Sequence, residues 1–244
     1  MRKLGMVTAA VLAGAAALGA VGRPGSTGPD QGGGTITGKV KFTGTKPAMP
    51  MIDMTEEATC KAKYTTPPHE ETAVVNANGT LANVFVYVKT GLPAGATYPK
   101  PATPVVLDQT GCHYVPHVFG IMVGQTLQIK NSDGILHNIK AKGTKNRPFN
   151  ISQPSVMTSD RTFTAEEVMV PLECNVHGWM HAWVGVLPHP FFAVSGKDGS
   201  FSIKGLPPGT YTIEAWHEKY GTQTATVTVA AGAPKTQNFT FAAH

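Results

Sequence analysis

Hydrophobic positions in this chain recur mainly at every second residue, the period of a strand with one face buried. In Thr35–Gly44, Ile36, Val40 and Phe42 alternate with polar residues. Asn83–Val88 sets Val84, Val86 and Val88 on one face, with Phe85 and Tyr87 bulky enough to cover the other. Tyr114–Gln125 runs into Thr126–Asn131 and predicts two strands joined at Gly124-Gln125, the second turning Leu127 and Ile129 inward. His137-Asn138-Ile139 opens another strand, Val168, Val170 and Leu172 alternate up to Cys174, and Ala182–Leu187 leaves the next loop as a strand. Further on, Asp198-Gly199 is a strong hairpin signal between Phe191–Val194 and Phe201–Ile203. Pro208-Gly209 suits a type II turn, after which Tyr211–Trp216 and Thr224–Val229 alternate as strands. Residues 45–70 give no periodic signal and read as loop around Cys60, and Pro93–Pro104 reads as a connection. No stretch carries a 3.6-residue period, so the predicted fold class is all-β.

Composition points the same way. Charged residues make up 14% of the 244, against 27 Gly and 19 Pro, a balance that favours short strands and turns over helices. Arg2 and Lys3 precede an apolar run from Leu4 to Val21 that ends in small residues, which predicts a signal peptide over 1–22 cleaved after Gly22. Arg23–Gly34 (RPGSTGPDQGGG) reads as a flexible linker. The expected location is periplasmic or secreted, with no stable membrane anchor after cleavage. Removing Arg2 and Lys3 takes the formal charge from +5 to +3, and the remaining basic residues form no run interleaved with aromatics. Nucleic acid is therefore not an expected partner.

The candidate chemistry lies in Cys174-Asn175-Val176-His177-Gly178-Trp179-Met180, with His137 upstream beyond the turn Asn131-Ser132-Asp133-Gly134. Two imidazoles, one thiolate and one thioether are the ligand set of a trigonal copper site with a weak axial Met. Zinc accepts the same His and Cys donors, but a thioether suits it poorly. A two-copper centre bridged by thiolates needs a second cysteine in the loop, and only Cys174 is there. Export puts the three cysteines in an oxidising compartment, where two pair and one is left over. If Cys174 holds metal, Cys60 and Cys112 are predicted to form a disulfide; the rival pairings use Cys174 and remove the copper thiolate.

Residues 114–187 resemble the cupredoxin family in their Tyr-x-Pro strand, Asn-x-Asp turn, His137-Asn138 and Cys174-x-x-His177-x-x-Met180 loop, which is similar to that of amicyanin-type blue copper proteins. Gly34–Gly44 with Lys197–Gly209 (KDGSFSIKGLPPG) resembles the prealbumin-like sandwich of carboxypeptidase regulatory and Cna-B-type domains. The two resemblances imply a cupredoxin Greek-key sandwich over 108–187, inserted in or followed by a small prealbumin-like sandwich made of 35–107 plus 188–242. The first implies one type 1 copper ion held by His137, Cys174, His177 and Met180, with Asn138 tethering the ligand loop and donating to the thiolate sulfur. It also implies that the far edge of His177 lies near the surface, where electrons enter or leave.

The expected function is single-electron transfer in the periplasm with a redox partner such as a c-type cytochrome or a dehydrogenase; the alternative is copper sequestration or delivery. The chain is expected not to be an enzyme, since it has no His-x-His pairs for a copper cluster, no Gly-x-Ser-x-Gly and no His-Glu-x-x-His. Trp179 and Trp183 read as core residues, His69, His181 and His244 as surface, and Trp216-His217-Glu218 as a weak candidate for a secondary metal or partner contact. His113 and His117 flank the Cys112 strand, and His189 and His217 fall in the second sandwich.

Overall fold

The computed structural model describes Met1 and residues 33–243. Apart from Met1 and residues 33–34, the predicted signal peptide and linker lie outside the described residues, as does His244. In chain order the strands are β1 (Gly34–Thr43), β2 (Phe85–Thr90), β3 (Val105–Thr110), β4 (His113–Val115), β5 (Val118–Met122), β6 (Thr126–Asn131), β7 (His137–Ala141), β8 (Phe149–Gln153) and β9 (Met157–Thr162). They continue as β10 (Glu167–Glu173), β11 (His181–Leu187), β12 (Phe192–Val194), β13 (Ser200–Leu206), β14 (Gly209–His217), β15 (Gly221–Val229), β16 (Pro234–Thr236) and β17 (Phe239–Ala242). A single helical turn, α1 (Ala58–Lys61), sits in the segment read as loop. The chain is all-β and built of sandwiched sheets.

Four sheets result: β13-β1-β16 with β17 also on β1, β12-β2-β14-β15, β5-β11-β10-β7-β8, and β4-β3-β6-β9. The first two enclose a core containing Ile36, Val40, Val84, Val86, Val88, Ile213 and Phe241. The other two enclose a core containing Leu107, Tyr114, Ile129, Ile139, Leu172 and Val184. Ile52, Met54 and Cys60, from the stretch without periodicity, pack into this second core. The run predicted as one strand from Tyr114 up to the turn at Gly124-Gln125 breaks after Val115. Its halves join different sheets, β4 pairing with β3 and β5 with β11.

Between the sandwiches lies a third cluster in which Phe85 and Tyr87 of β2 meet Val118, Met169 and Leu187, with Phe192, Trp183 and Trp216 around them. The strict alternation of β2 thus feeds two interiors, its valines one core and its aromatics the junction. Gly120 and Gly185 face each other across the β5–β11 pair. A Cβ on Gly185 would strike the Phe85 ring, and one on Gly120 would strike the Phe192 ring. These two positions lack side chains so that the aromatic layer can approach the sheet. On β10, Met169 adopts φ +62° where the pairing with β11 shifts register, so the extra residue turns Met169 toward the junction while Val170 stays in the second core.

Glu167, buried at the start of β10, organises the loop that precedes β8. Its carboxylate accepts from the main-chain N–H of Lys145 (3.1 Å) and Asn146 (2.9 Å) and from the Thr144 hydroxyl (2.8 Å). Burial pushes its pKa up, but hydrogen bonds from the Thr144 and Asn146 main chain and side chains outweigh this and hold it at about 2, below 4.5. A depressed carboxyl pKa stabilises the fold above the unfolded value, and the gain is lost as pH falls toward the folded value. Glu167→Gln is therefore expected to cost about 3 kcal/mol at neutral pH. In denaturant titrations at several pH values, its deficit against the parent should shrink between pH 4.5 and 2. A deficit independent of pH across that window would contradict this account.

Candidate metal centre

The sheet that carries the candidate ligands is arranged so that they share one end. In the antiparallel β7–β10 pair, Glu173 faces Lys140, and continuing that register brings the residues after Glu173 toward His137 at the start of β7. β10 stops one residue short of Cys174, and β11 resumes at His181 opposite Glu173. The intervening loop is closed by its own main chain: Cys174 N–H donates to Met180 C=O (3.0 Å) and Met180 N–H to His177 C=O (2.9 Å).

His137 Nδ1 lies 3.0 Å from His177 Nδ1, and the Cys174 sulfur lies 3.9 Å from His177 Nδ1. One donor atom from each of the three residues falls within 4.8 Å of the other two. All three are buried, and Met180, 1% exposed, packs in the same core. Cys174 is the free cysteine among the described residues, because Cys60 and Cys112 form a disulfide. Burial raises the pKa of the thiol. Hydrogen bonds to sulfur from the His177 ring and from the main chain of Asn138, His177 and Val176 more than offset this, leaving it below the ordinary thiol value.

Asn138 lies between the ligand loop and β8. Its Oδ1 accepts from Asn175 N–H (2.6 Å), tying the loop to β7, and its Nδ2 donates to Asn150 on β8 (2.6 Å). The side-chain oxygen, not the NH₂ group, faces the sulfur and accepts from the thiol at 3.3 Å. A protonated sulfur is itself a donor, so an acceptor opposite it satisfies both groups. The donors aimed at sulfur are instead main-chain N–H groups, that of His177 at 3.4 Å among them.

Asp133 was legible only as a turn residue. Its carboxylate accepts from His137 Nε2 (2.9 Å), Lys63 Nζ (2.9 Å), Gly111 N–H (2.8 Å) and Cys112 N–H (2.7 Å). By fixing the proton on Nε2 of His137, it leaves Nδ1 with a free lone pair directed at the other donors. The available sequence signal was an Asp four residues ahead of the candidate His, in a turn that Asn131 closes by accepting from Asp133 N–H (3.0 Å).

The expected surface edge of His177 is corrected. Its ring is 1% exposed, and Nε2 lies 3.6 Å from Cys60 Sγ and 3.8 Å from a Glu57 carboxylate oxygen. The segment around α1 lies over it, held down by the disulfide to Cys112 and by the Lys63–Asp133 ion pair. His181 is also only partly exposed, and its ring turns toward Glu218. His217 points the other way, stacking on Tyr220 inside the first sandwich. Trp179 donates to Cys112 C=O (3.0 Å), and Trp183 packs on Trp216 at the junction.

Residues 187–242 match the family described as carboxypeptidase regulatory-like domain. No curated protein matches the chain. Solved structures similar to it include a Cu-containing nitrite reductase from Thermus scotoductus SA-01, at 22% identity over 40% of this chain and 25% of that one, TM-score 0.32. They also include a mutant amicyanin in its Cu(I) form, at 16% identity over 41% and 97%, TM-score 0.31. A third is a purple cupredoxin from Nitrosopumilus maritimus, at 22% identity over 34% and 97%, TM-score 0.29. The chain spans a quarter of the nitrite reductase's length. The chain thus resembles cupredoxins and, separately, the carboxypeptidase regulatory-like domain. The reading of the chain as non-enzymatic does not stand, because one of the structures it resembles is an enzyme.

Proposed function

We propose that the chain is an exported type 1 copper protein that carries single electrons between redox partners in the periplasm. One observation supports this above all: a buried thiol and one nitrogen from each of two imidazoles converge within 4.8 Å where β7 meets a loop that also buries Met180. The donors fit copper in kind, one soft sulfur with two borderline nitrogens. His137, Cys174 and His177 would be the strong ligands and Met180 the weak one. Copper would supply a one-electron couple, and fixed ligands reduce the rearrangement that accompanies each electron.

The chain's own residues hold that arrangement. Asp133 sets the His137 tautomer and Asn138 pins the loop. The segment at Glu57 and Cys60 keeps water from His177, so an electron leaving by that ring crosses this cover. In the proposed layout the copper unit of 108–187 is threaded between strands of the second sandwich, and a c-type cytochrome or dehydrogenase is the class of partner.

Voltammetry of the copper-loaded full chain tests the reading. A reversible one-electron couple with fast self-exchange is expected. No couple, with copper lost quickly to a chelator, would replace electron transfer with sequestration or delivery.

A further inference from the structure

We propose that His117, His181 and Glu218 form a second metal site, for a divalent first-row ion of the zinc or copper(II) type, at the junction between the two sandwiches. It shares no ligand with the Cys174 centre, although His181 follows Met180 in the chain, and does not depend on how that centre is read. One donor atom from each residue lies within 4.8 Å of the other two. The imidazoles come from either side of one strand pair: His117 just before β5, and His181 at the start of β11. Glu218 is contributed by the opposite sandwich, from the turn between β14 and β15.

The geometry is that of a prepared site. His117 Nε2 contacts Glu218 Oε1, and His181 Nε2 lies 3.7 Å from Glu218 Oε2. The other nitrogen of His181 is 3.0 Å from Trp179 C=O, which holds a proton there and leaves Nε2 as the ligating atom. Trp183 Nε1–H donates to Glu218 Oε2 (3.0 Å), fixing the carboxylate plane. The side chains of His117 and Glu218 are 3% and 8% exposed, and that of His181 is 29% exposed, so an ion has a way in on one side.

Charge favours a cation. Glu71 approaches His117 Nδ1 at 4.0 Å. Together with Glu70 it lines a cavity of about 10 Å³ beside both imidazoles, room for roughly one water. Three carboxylates against two imidazoles leave a negative balance that a divalent ion would neutralise. Two imidazoles, one carboxylate and an open position form a ligand set common to zinc and other first-row metals.

Zinc is the probe, applied by equilibrium dialysis to the full chain in a Cys174→Ser background that removes the thiolate of the first centre. One zinc equivalent should depend on Glu218, with Glu218→Gln weakening it by more than the tenfold to hundredfold typical of losing an outer-shell partner. His181→Asn, at the partly exposed ligand, should weaken it similarly, which keeps the test decisive if Glu218→Gln misfolds. Zinc should also raise the melting temperature of the background protein and not that of either variant. Equal zinc affinity in background and variants, or no zinc retained by the background, would reduce the cluster to an ion-pair network and overturn the proposal.

Discussion

Cys174→Ser is expected to abolish the intense visible absorption of the copper-loaded protein while leaving the fold in place. The absorption would come from charge transfer between an ionised sulfur and Cu(II), and a serine hydroxyl offers neither the soft donor nor an accessible anion. The structural cost should be small. Cys174 is buried, but its sulfur already faces Asn138 Oδ1 at 3.3 Å, so a hydroxyl there has an acceptor. Absorption spectra and copper content of parent and variant, with circular dichroism as the control for folding, check this. A variant that keeps the parent's colour would remove the sulfur from the site and with it the proposed copper chemistry.

Removing the Cys60–Cys112 disulfide, as the double change Cys60→Ala/Cys112→Ala, is expected to have the largest effect on stability. The bridge spans 52 positions, and the loop-closure relation gives about 4 kcal/mol for that length. It also fastens the segment that covers His177, whose Nε2 is 3.6 Å from Cys60 Sγ. The double variant should therefore show a lower denaturant midpoint and faster removal of copper by a chelator. A lower midpoint with unchanged copper release would mean that the cover is held by Lys63 on Asp133 and by the packing of Ile52 and Met54, not by the bridge.

The parts that were legible in the sequence are mostly those where a single face is buried. β1 and β15 alternate visibly because water lies on their other side, and β14 alternates although Glu214 and Trp216 on its other face are covered at the junction. β8 and β9 were not anticipated. Both are edge strands, and β9 (MTSDRT) is exposed along nearly all its length, so its place is set by main-chain pairing to β6 and leaves no apolar imprint. β3 was left unassigned as well, because Val106 faces outward and Val105 is only half-buried, leaving Leu107 and Gln109 as its buried positions.

At the centre, the loop from Cys174 to Met180 was readable because the chemistry constrains residue type there. The cover over His177 was not, since the stretch around α1 has no periodicity and is positioned by one disulfide and one ion pair. His117, His181 and Glu218 come from distant stretches of sequence. Their meeting depends on how the sandwiches dock, which no local pattern encodes.

The placement of β2 bears on how the protein could be dissected or recombined. Its valines complete one interior while Phe85 and Tyr87 roof the neighbouring sheet above the facing Gly120 and Gly185. A fragment cut at 108 and 187 would leave those two rings uncovered on the remainder, at about 1.5–3 kcal/mol per large side chain returned to water. The halves are therefore not interchangeable cassettes. Grafting either onto another scaffold would require a substitute for the surface it gives up.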